Sequence, residues 1–152
     1  VSFKNLQFIE KVATLAGSSG TIASIDVKKT WRGKYFVFSN SGRNNENKDP
    51  VKFSIELEKC GAGEIFINSI NKDGTMSGYD TELINAISSA VSIPVIAVGG
   101  GENLQDLRKA YEAGASAISA GSMFLFSGST KGILITYPSR KKLIEIFGDN
   151  FN

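Results

Sequence analysis

Apolar residues fall along this chain in an alternation of helical stripes and short continuous runs. Phe3, Leu6, Ile9, Val12, Ala13 and Ala16 lie on one face of a helix predicted from Ser2 to Ala16, which Gly17 stops. Thr21–Val27 (TIASIDV) reads as a strand with Asp26 at its end, and Trp31–Phe38 as a small hairpin turning at Arg32-Gly33. Ser39–Asp49 is polar and reads as a loop. Asp49-Pro50 has the form of a helix start, and Val51, Phe53, Ile55, Leu57 and Cys60 give apolar cover up to Gly61. Those residues also alternate as a strand would; the cap decides for helix. Glu64–Ser69 is a buried strand that empties into a polar, glycine-rich loop, after which Asp80 caps a helix to about Val91 with Leu83, Ile84, Ile87 and Val91 inward. Ile93–Val98 is a continuous apolar strand running into Gly99-Gly100-Gly101, followed by a helix from Asn103 to Gly114. Ala115–Ala120 is the last strand, leading to Gly121-Ser122 and a short apolar turn, Met123–Phe126. Ser127–Tyr137 reads as a linker whose Ile133-Leu134-Ile135 is either a short strand or packed loop, and Pro138-Ser139 introduce a final helix ending at Gly148.

Strands alternating with helices predict an α/β domain with parallel strands. Parallel-sheet domains ordinarily begin with a strand, so the opening helix leads us to expect an upstream segment. The chain has 152 residues, 41% of them hydrophobic and 21% charged, enough for one domain with a core. Seventeen basic against 15 acidic residues, scattered, argue for neither nucleic acid nor membrane as partner. The lone cysteine, Cys60, excludes an internal disulfide, fits a reducing cytoplasm and is expected in the core. With no histidine, Ser-His-Asp and Cys-His catalysis and histidine-ligated metals are excluded; acid–base work falls to Asp, Glu, Lys or Tyr, and neither metal nor cofactor is called for. No apolar run approaches the roughly 20 residues of a membrane helix.

In parallel α/β proteins the strand ends and helix N-termini gather at one rim, where ligands are held by loop amides. Asp26, at such an end, faces either the mouth of a site or solvent at the rim, paired with Lys28 or Lys29. Asp73 is either an acid of the site or a turn residue bonding its own backbone. Gly99-Gly100-Gly101 can bring amides close to a phosphate, with the helix from Asn103 aimed at the same point; a plain βα turn is the alternative. Gly121-Ser122, on the neighbouring strand, offers a second set of amides, and Ser41-Gly42-Arg43 is a less specific phosphate candidate.

Four strand units are half of a (β/α)8 barrel, and here the residues resemble a known family. GAGEIFINSINKDGTMSGYDTELI, IPVIAVGGGENLQDL and ASAISAGSMF are similar to the cyclase subunit of imidazole glycerol phosphate synthase, the HisF family, with DGTMSGYD the most specific piece. The resemblance implies one domain, residues 1–152, forming the C-terminal half of that barrel: its fifth to eighth strands preceded by its fourth helix. It implies a lyase-type cyclase that joins ammonia from a glutamine amidotransferase partner to a phosphorylated small molecule, a bisphosphorylated ribulosyl aminoimidazole carboxamide. It makes Asp26 a general acid or base and Asp73 a supporting acid, and gives one substrate phosphate to Gly99, Gly100, Gly121 and Ser122, with Ser41 contacting ligand. Departures are Asn68 and Asn71 where Thr and Asp are common, Val98 for a polar residue and Leu125 for a common His. The tail ILITYPSR looks like a paralogous branch serving acetamidino-sugar polysaccharide synthesis, with histidine biosynthesis proper as one alternative and a non-catalytic phosphate-binding half-barrel as the other. Half a barrel leaves sheet edges and an apolar face exposed, so the chain is expected to be a fragment, or to pair with the N-terminal half or a second copy of itself, and to be inactive alone.

Overall fold

The computed structural model of the chain describes residues 6–127, 132–133, 135 and 137–148. Phe3, Leu134 and Thr136 of the predicted elements lie outside the described residues. Helix α1 (Leu6–Ala16) comes first, followed by a single 3-10 turn (Ser18–Gly20) and strand β1 (Ile22–Lys29). The chain then forms β2 (Tyr35–Ser39), β3 (Asn44–Asn45), α2 (Pro50–Lys59), β4 (Glu64–Ser69), α3 (Thr81–Ser88), β5 (Val95–Val98), α4 (Leu104–Glu112) and β6 (Ala117–Ser119). A short helix α5 (Ser122–Leu125), a two-stranded ribbon of β7 (Phe126–Ser127) and β8 (Gly132–Ile133), and α6 (Arg140–Phe147) complete the described chain.

The main sheet has the order β3-β2-β1-β4-β5-β6, and β1, β4, β5 and β6 pair in parallel. Each neighbour in space is the next parallel strand in sequence, with a helix between, which is the half-barrel arrangement expected of the chain. Four helix starts read from local chemistry hold: Asp49, Asp80, Asn103 and Ser139 each accept a hydrogen bond from a first-turn backbone N–H.

Several boundaries differ from those the sequence predicts. The first strand does not stop at Val27; it runs to Lys29, because its last four residues pair antiparallel with Tyr35–Phe38 and become the hairpin's first arm. The hairpin tip is therefore Thr30–Lys34, where Trp31 is 88% exposed with the Arg32 guanidinium stacked on its ring. The polar loop after β2 folds back as β3. Helix α3 ends at Ser88 rather than Val91, and β5 starts at Val95 rather than Ile93, because Pro94 has no N–H to give and contributes only its carbonyl, to Ile65. The stretch after Gly121 is a helical turn, and of the run read as either a short strand or packed loop, Ile133 lies in β8. Cys60 is half-buried at the C-cap of α2, not in the core.

Only one face of the sheet is covered. Ala23, Ile25, Val27, Ile65, Ile67, Val95 and Ala97 point under the helices and are fully buried with Ile9, Phe53, Leu57, Leu83, Ile87 and Leu107. Their alternates, Ile22, Ser24, Asp26, Phe66, Asn68, Ile96 and Val98, are on the other face and remain partly or largely exposed, Ile22 by 55%. Among the described residues no helix is long and apolar enough to cross a membrane.

Two ties between layers make testable predictions. Glu58 of α2 accepts from the Ser92 N–H at 2.8 Å and its hydroxyl at 2.5 Å, which holds the Glu58 carboxyl below its ordinary range. A depressed carboxylate stabilises the fold above its unfolded pKa and loses that contribution as pH falls through the folded one. The protection factor of the Ser92 amide, its exchange rate corrected for the intrinsic pH dependence, is thus expected to fall as pH drops below the ordinary glutamate range, and Glu58→Gln to remove that change. Gly63 is packed so tightly that a Cβ there would lie 2.1 Å from the Ser18 carbonyl oxygen. Gly63→Ala is expected to cost about 1–3 kcal/mol in denaturant unfolding.

Candidate functional site

Strand register brings the polar positions of the open face into one row. Asp26 lies beside Asn68, Asn68 beside Val98, and Val98 beside Ser119, with Phe38 flanking Asp26 on the hairpin side. The row beneath it, Ser24, Phe66, Ile96 and Ala117, is mostly apolar. Above it the strands end and the loops begin, so the row is the last ring of side chains before the mouth.

Asp26 is half-buried on this inner face, and its Oδ1 accepts from Asn68 Nδ2 at 3.0 Å. The alternative of a rim pair with lysine is not what the chain forms. Lys29 instead bonds Glu82 at 2.5 Å, and Lys28 stands over the Phe38 ring, 5.7 Å from its centroid. Lys29 belongs to a cluster on the helix side, where Tyr35 Oη donates to Asp80 Oδ1 at 2.8 Å. Burial, ahead of the neighbouring charges, pushes the Tyr35 hydroxyl well above its ordinary range, while the hydrogen bond to Glu82 raises the Lys29 ammonium.

Further along the rim, the two glycine turns converge. Gly99, Gly100 and Gly101 from the end of β5, and Gly121 and Ser122 from the end of β6, line one pocket with Val98, Ser119, Asp73, Gly74 and Met76. Its volume is about 80 Å³, far below the several hundred of a pocket for a whole small molecule and suited to one phosphoryl-sized group. Gly99 and Gly100 have φ of 94° and 103°, and a Cβ on Gly100 would sit 2.4 Å from the Gly78 carbonyl oxygen, so this turn is closed to side chains. The Gly78 N–H donates to the Gly100 carbonyl at 2.8 Å, tying the DGTMSG loop to the pocket wall. Gly121 differs: a Cβ there would meet nothing within 4 Å. Among the described residues, the N–H groups of Gly100, Gly101, Gly121 and Ser122 donate to no protein acceptor.

One expected contributor is corrected. Helix α4 lends no residue to the lining of this pocket, and its Gln105 and Asp106 N–H groups are taken by the Asn103 side chain. A filled cap leaves the anion to the turn amides. Asp73 reaches the pocket wall, its backbone N–H bonded to the Ser69 carbonyl and its carboxylate exposed, a turn position and a pocket position at once. Ser41 sits in a left-handed turn with Asn40 and Gly42 (φ 52°, 56° and 77° from Asn40 to Gly42) that leans on Ile70, just past the end of β4; a Cβ on Gly42 would be 3.1 Å from Ile70 Cδ1. The structure therefore gathers Gly99, Gly100, Gly121, Ser122 and Asp73, and places Asp26 on the same face two strands from Val98, about 10 Å at the usual strand spacing.

Sequence reasoning did not connect Asn68 with Asp26, nor count Ser119 in the site. The signal for the first was present: in TIASID and GEIFIN the Asp and the Asn close equivalent runs, so parallel pairing in register sets them side by side.

Residues 1–130 match the histidine biosynthesis protein family. The chain is 40% identical over 140 residues to a Pseudomonas aeruginosa protein provisionally named imidazole glycerol phosphate synthase subunit hisF2, covering 91% of this chain and 56% of that protein. It is 34% identical to a Vibrio vulnificus protein provisionally named subunit hisF3, covering 95% of this chain and 57% of the other. With the imidazole glycerol phosphate synthase subunit HisF of Pyrobaculum aerophilum it shares 43% identity over 81% of this chain and 48% of that protein. The chain spans about half the length of the curated relatives it matches.

Proposed function

The chain belongs to the histidine biosynthesis protein family, and from that premise we propose that it is the C-terminal half of a HisF-type cyclase barrel whose pocket holds one phosphate of a bisphosphorylated substrate. The observation that carries this reading is the convergence of two glycine turns, with unpaired amides, on one 80 Å³ pocket beside a row containing a half-buried carboxylate. Amides hold the phosphate, Ser41 contacts ligand from the β2–β3 turn, and Asp26 moves protons as ammonia joins the intermediate, the imidazole ring closes and the aminoimidazole carboxamide part is cleaved off as the leaving group. Asp73 supports from the pocket wall. Ammonia is supplied by a glutamine amidotransferase subunit.

A first catalytic acid and a second phosphate site have to come from the other half of the barrel, either an N-terminal segment or a second copy of this chain, which also covers Ile22, Phe66 and Ile96. Taken alone, these 152 residues carry out no cyclisation. The paralogous branch serving acetamidino-sugar polysaccharides is favoured over histidine biosynthesis proper. Its support is the tail ILITYPSR, which is unlike the histidine-pathway enzyme.

The reading is tested with the intact protein and its barrel partner, supplied with ammonium salt and the bisphosphorylated ribulosyl intermediate. Release of imidazole glycerol phosphate, inhibited competitively by inorganic phosphate, is the expected result. A completed barrel that binds phosphate but turns over nothing would leave only the phosphate-binding half-barrel.

A further inference from the structure

We propose that Asn68 is a positioning residue that mechanically joins the proton-transfer carboxylate to the phosphate pocket, its amide gripping Asp26 with one end and bearing on the Gly99 turn with the other. This deepens the reading of Asp26 as the acid–base group and rests on it.

The argument begins with the two ends of one side chain. Asn68 Nδ2 donates to Asp26 Oδ1 at 3.0 Å. Only the NH2 end of an amide can bond a carboxylate, so the charge on Asp26 dictates which way the amide faces. That orientation has a cost elsewhere: Asn68 Oδ1 is buried and has no hydrogen-bond partner, the one such buried side-chain atom among the described residues. Its lateral neighbour in the row, Val98, has no donor to offer. An orphaned buried acceptor is rare in a folded protein and persists where the surroundings impose it. Here the imposing group is Asp26.

The orphan end does not face solvent; it lies against the phosphate turn. A Cβ on Gly99 would stand 3.2 Å from Asn68 Oδ1, 3.0 Å from the Ser69 carbonyl oxygen and 3.3 Å from the Asp73 nitrogen. Gly99 lines the pocket at φ 94°, a backbone conformation that glycine adopts freely and a side chain would not. Asn68 is thus wedged between the carboxylate and the turn that must settle around an anion. When an anion fills the pocket and fixes the Gly99 turn, Asn68 has a firm backstop, Asp26 Oδ1 is pinned, and Oδ2 alone is left to exchange a proton with substrate. An unpinned carboxylate would present either oxygen over a range of angles, and misplacement of a reacting group by about 1 Å costs on the order of 100-fold in rate.

The experiment has a kinetic arm and an arm that needs no turnover, both on the intact protein. In the kinetic arm, Asn68→Leu is expected to lower kcat by about 100-fold with KM within threefold of wild type, while Asn68→Thr, which keeps a donor near Asp26, recovers at least tenfold of that loss. An Asn68→Leu variant with kcat within threefold of wild type, or with KM raised as far as kcat is lowered, overturns the proposal. In the other arm the Asn68 side-chain NH2 resonances, identified by their disappearance in Asn68→Leu, are followed by NMR. They are expected to shift on adding inorganic phosphate and to shift again in Asp26→Asn. Resonances indifferent to both overturn the coupling whether or not the protein is a cyclase. If they respond while wild type turns over no bisphosphorylated substrate, the coupling stands and the cyclase reading alone has failed.

Discussion

Asp26→Asn is expected to lower ammonia-dependent turnover of the completed barrel by 10²- to 10⁴-fold, the range lost when a positioned acid or base is removed, with little change in KM. The substitution is close to isosteric, so the row Phe38, Asp26, Asn68, Val98, Ser119 keeps its packing and register. What disappears is the only carboxylate in that row. An asparagine at this position cannot carry a proton between substrate atoms, yet its own amide can still hydrogen-bond Asn68, because Asn68 is free to rotate once the charge that fixed it is gone. Thermal stability should therefore stay within about 0.5 kcal/mol of wild type, as for a substitution that leaves no buried group newly unpaired. Asp73→Asn is expected to cost much less, since the Asp73 carboxylate is exposed and its backbone bond to Ser69 survives the change. Kinetics of the two variants side by side check the assignment: equal losses, or a loss confined to KM in Asp26→Asn, would remove Asp26 from the proton-transfer step.

How much of this could be read from residues alone divides along one physical line, local against non-local. Helix starts are local, set by a side chain and amides two or three positions on, and Asp49, Asp80, Asn103 and Ser139 all cap as their sequences suggest. Strands β4 and β5 announce themselves by apolar runs, and the glycine turns by composition. What composition cannot announce is who pairs with whom. The extension of β1 to Lys29 exists because Tyr35–Phe38 returns alongside it. Lys29 is drawn to Glu82, 53 positions away, and is therefore unavailable to Asp26. Asn68, visible as an unusual residue in its motif, acquires meaning only when register sets it beside Asp26. The uncovered inner face is a further case: β5 (VIAV) is apolar on both sides, as a fully buried strand would be, yet its Ile96 and Val98 stay partly exposed.

The two glycine turns of the pocket look alike in sequence and should respond in opposite ways to one added methyl group. Gly100→Ala places a Cβ 2.4 Å from the Gly78 carbonyl oxygen and 2.9 Å from Lys72 Cβ, at a φ of 103° that an L side chain rarely adopts. The turn has to move, and with it the Gly78–Gly100 hydrogen bond that anchors the DGTMSG loop. A loss of about 2–4 kcal/mol in denaturant unfolding is expected, combining the backbone penalty with overpacking. Gly121→Ala meets no protein atom within 4 Å, and Gly121 has no positive φ, so folding stability should change by less than about 0.5 kcal/mol. Gly121 nonetheless lines the 80 Å³ pocket, and a methyl beside its amide narrows the approach of a ligand to that N–H. Inorganic phosphate binding, followed by calorimetry on the intact protein, should therefore weaken by at least about tenfold, or 1.4 kcal/mol. A glycine kept for folding and a glycine kept for a ligand are thereby separated by two measurements on two variants. Unchanged phosphate affinity in folded Gly121→Ala would mean that the amides of Gly121 and Ser122 hold no anion, and the phosphate grip would have to be sought elsewhere on the rim.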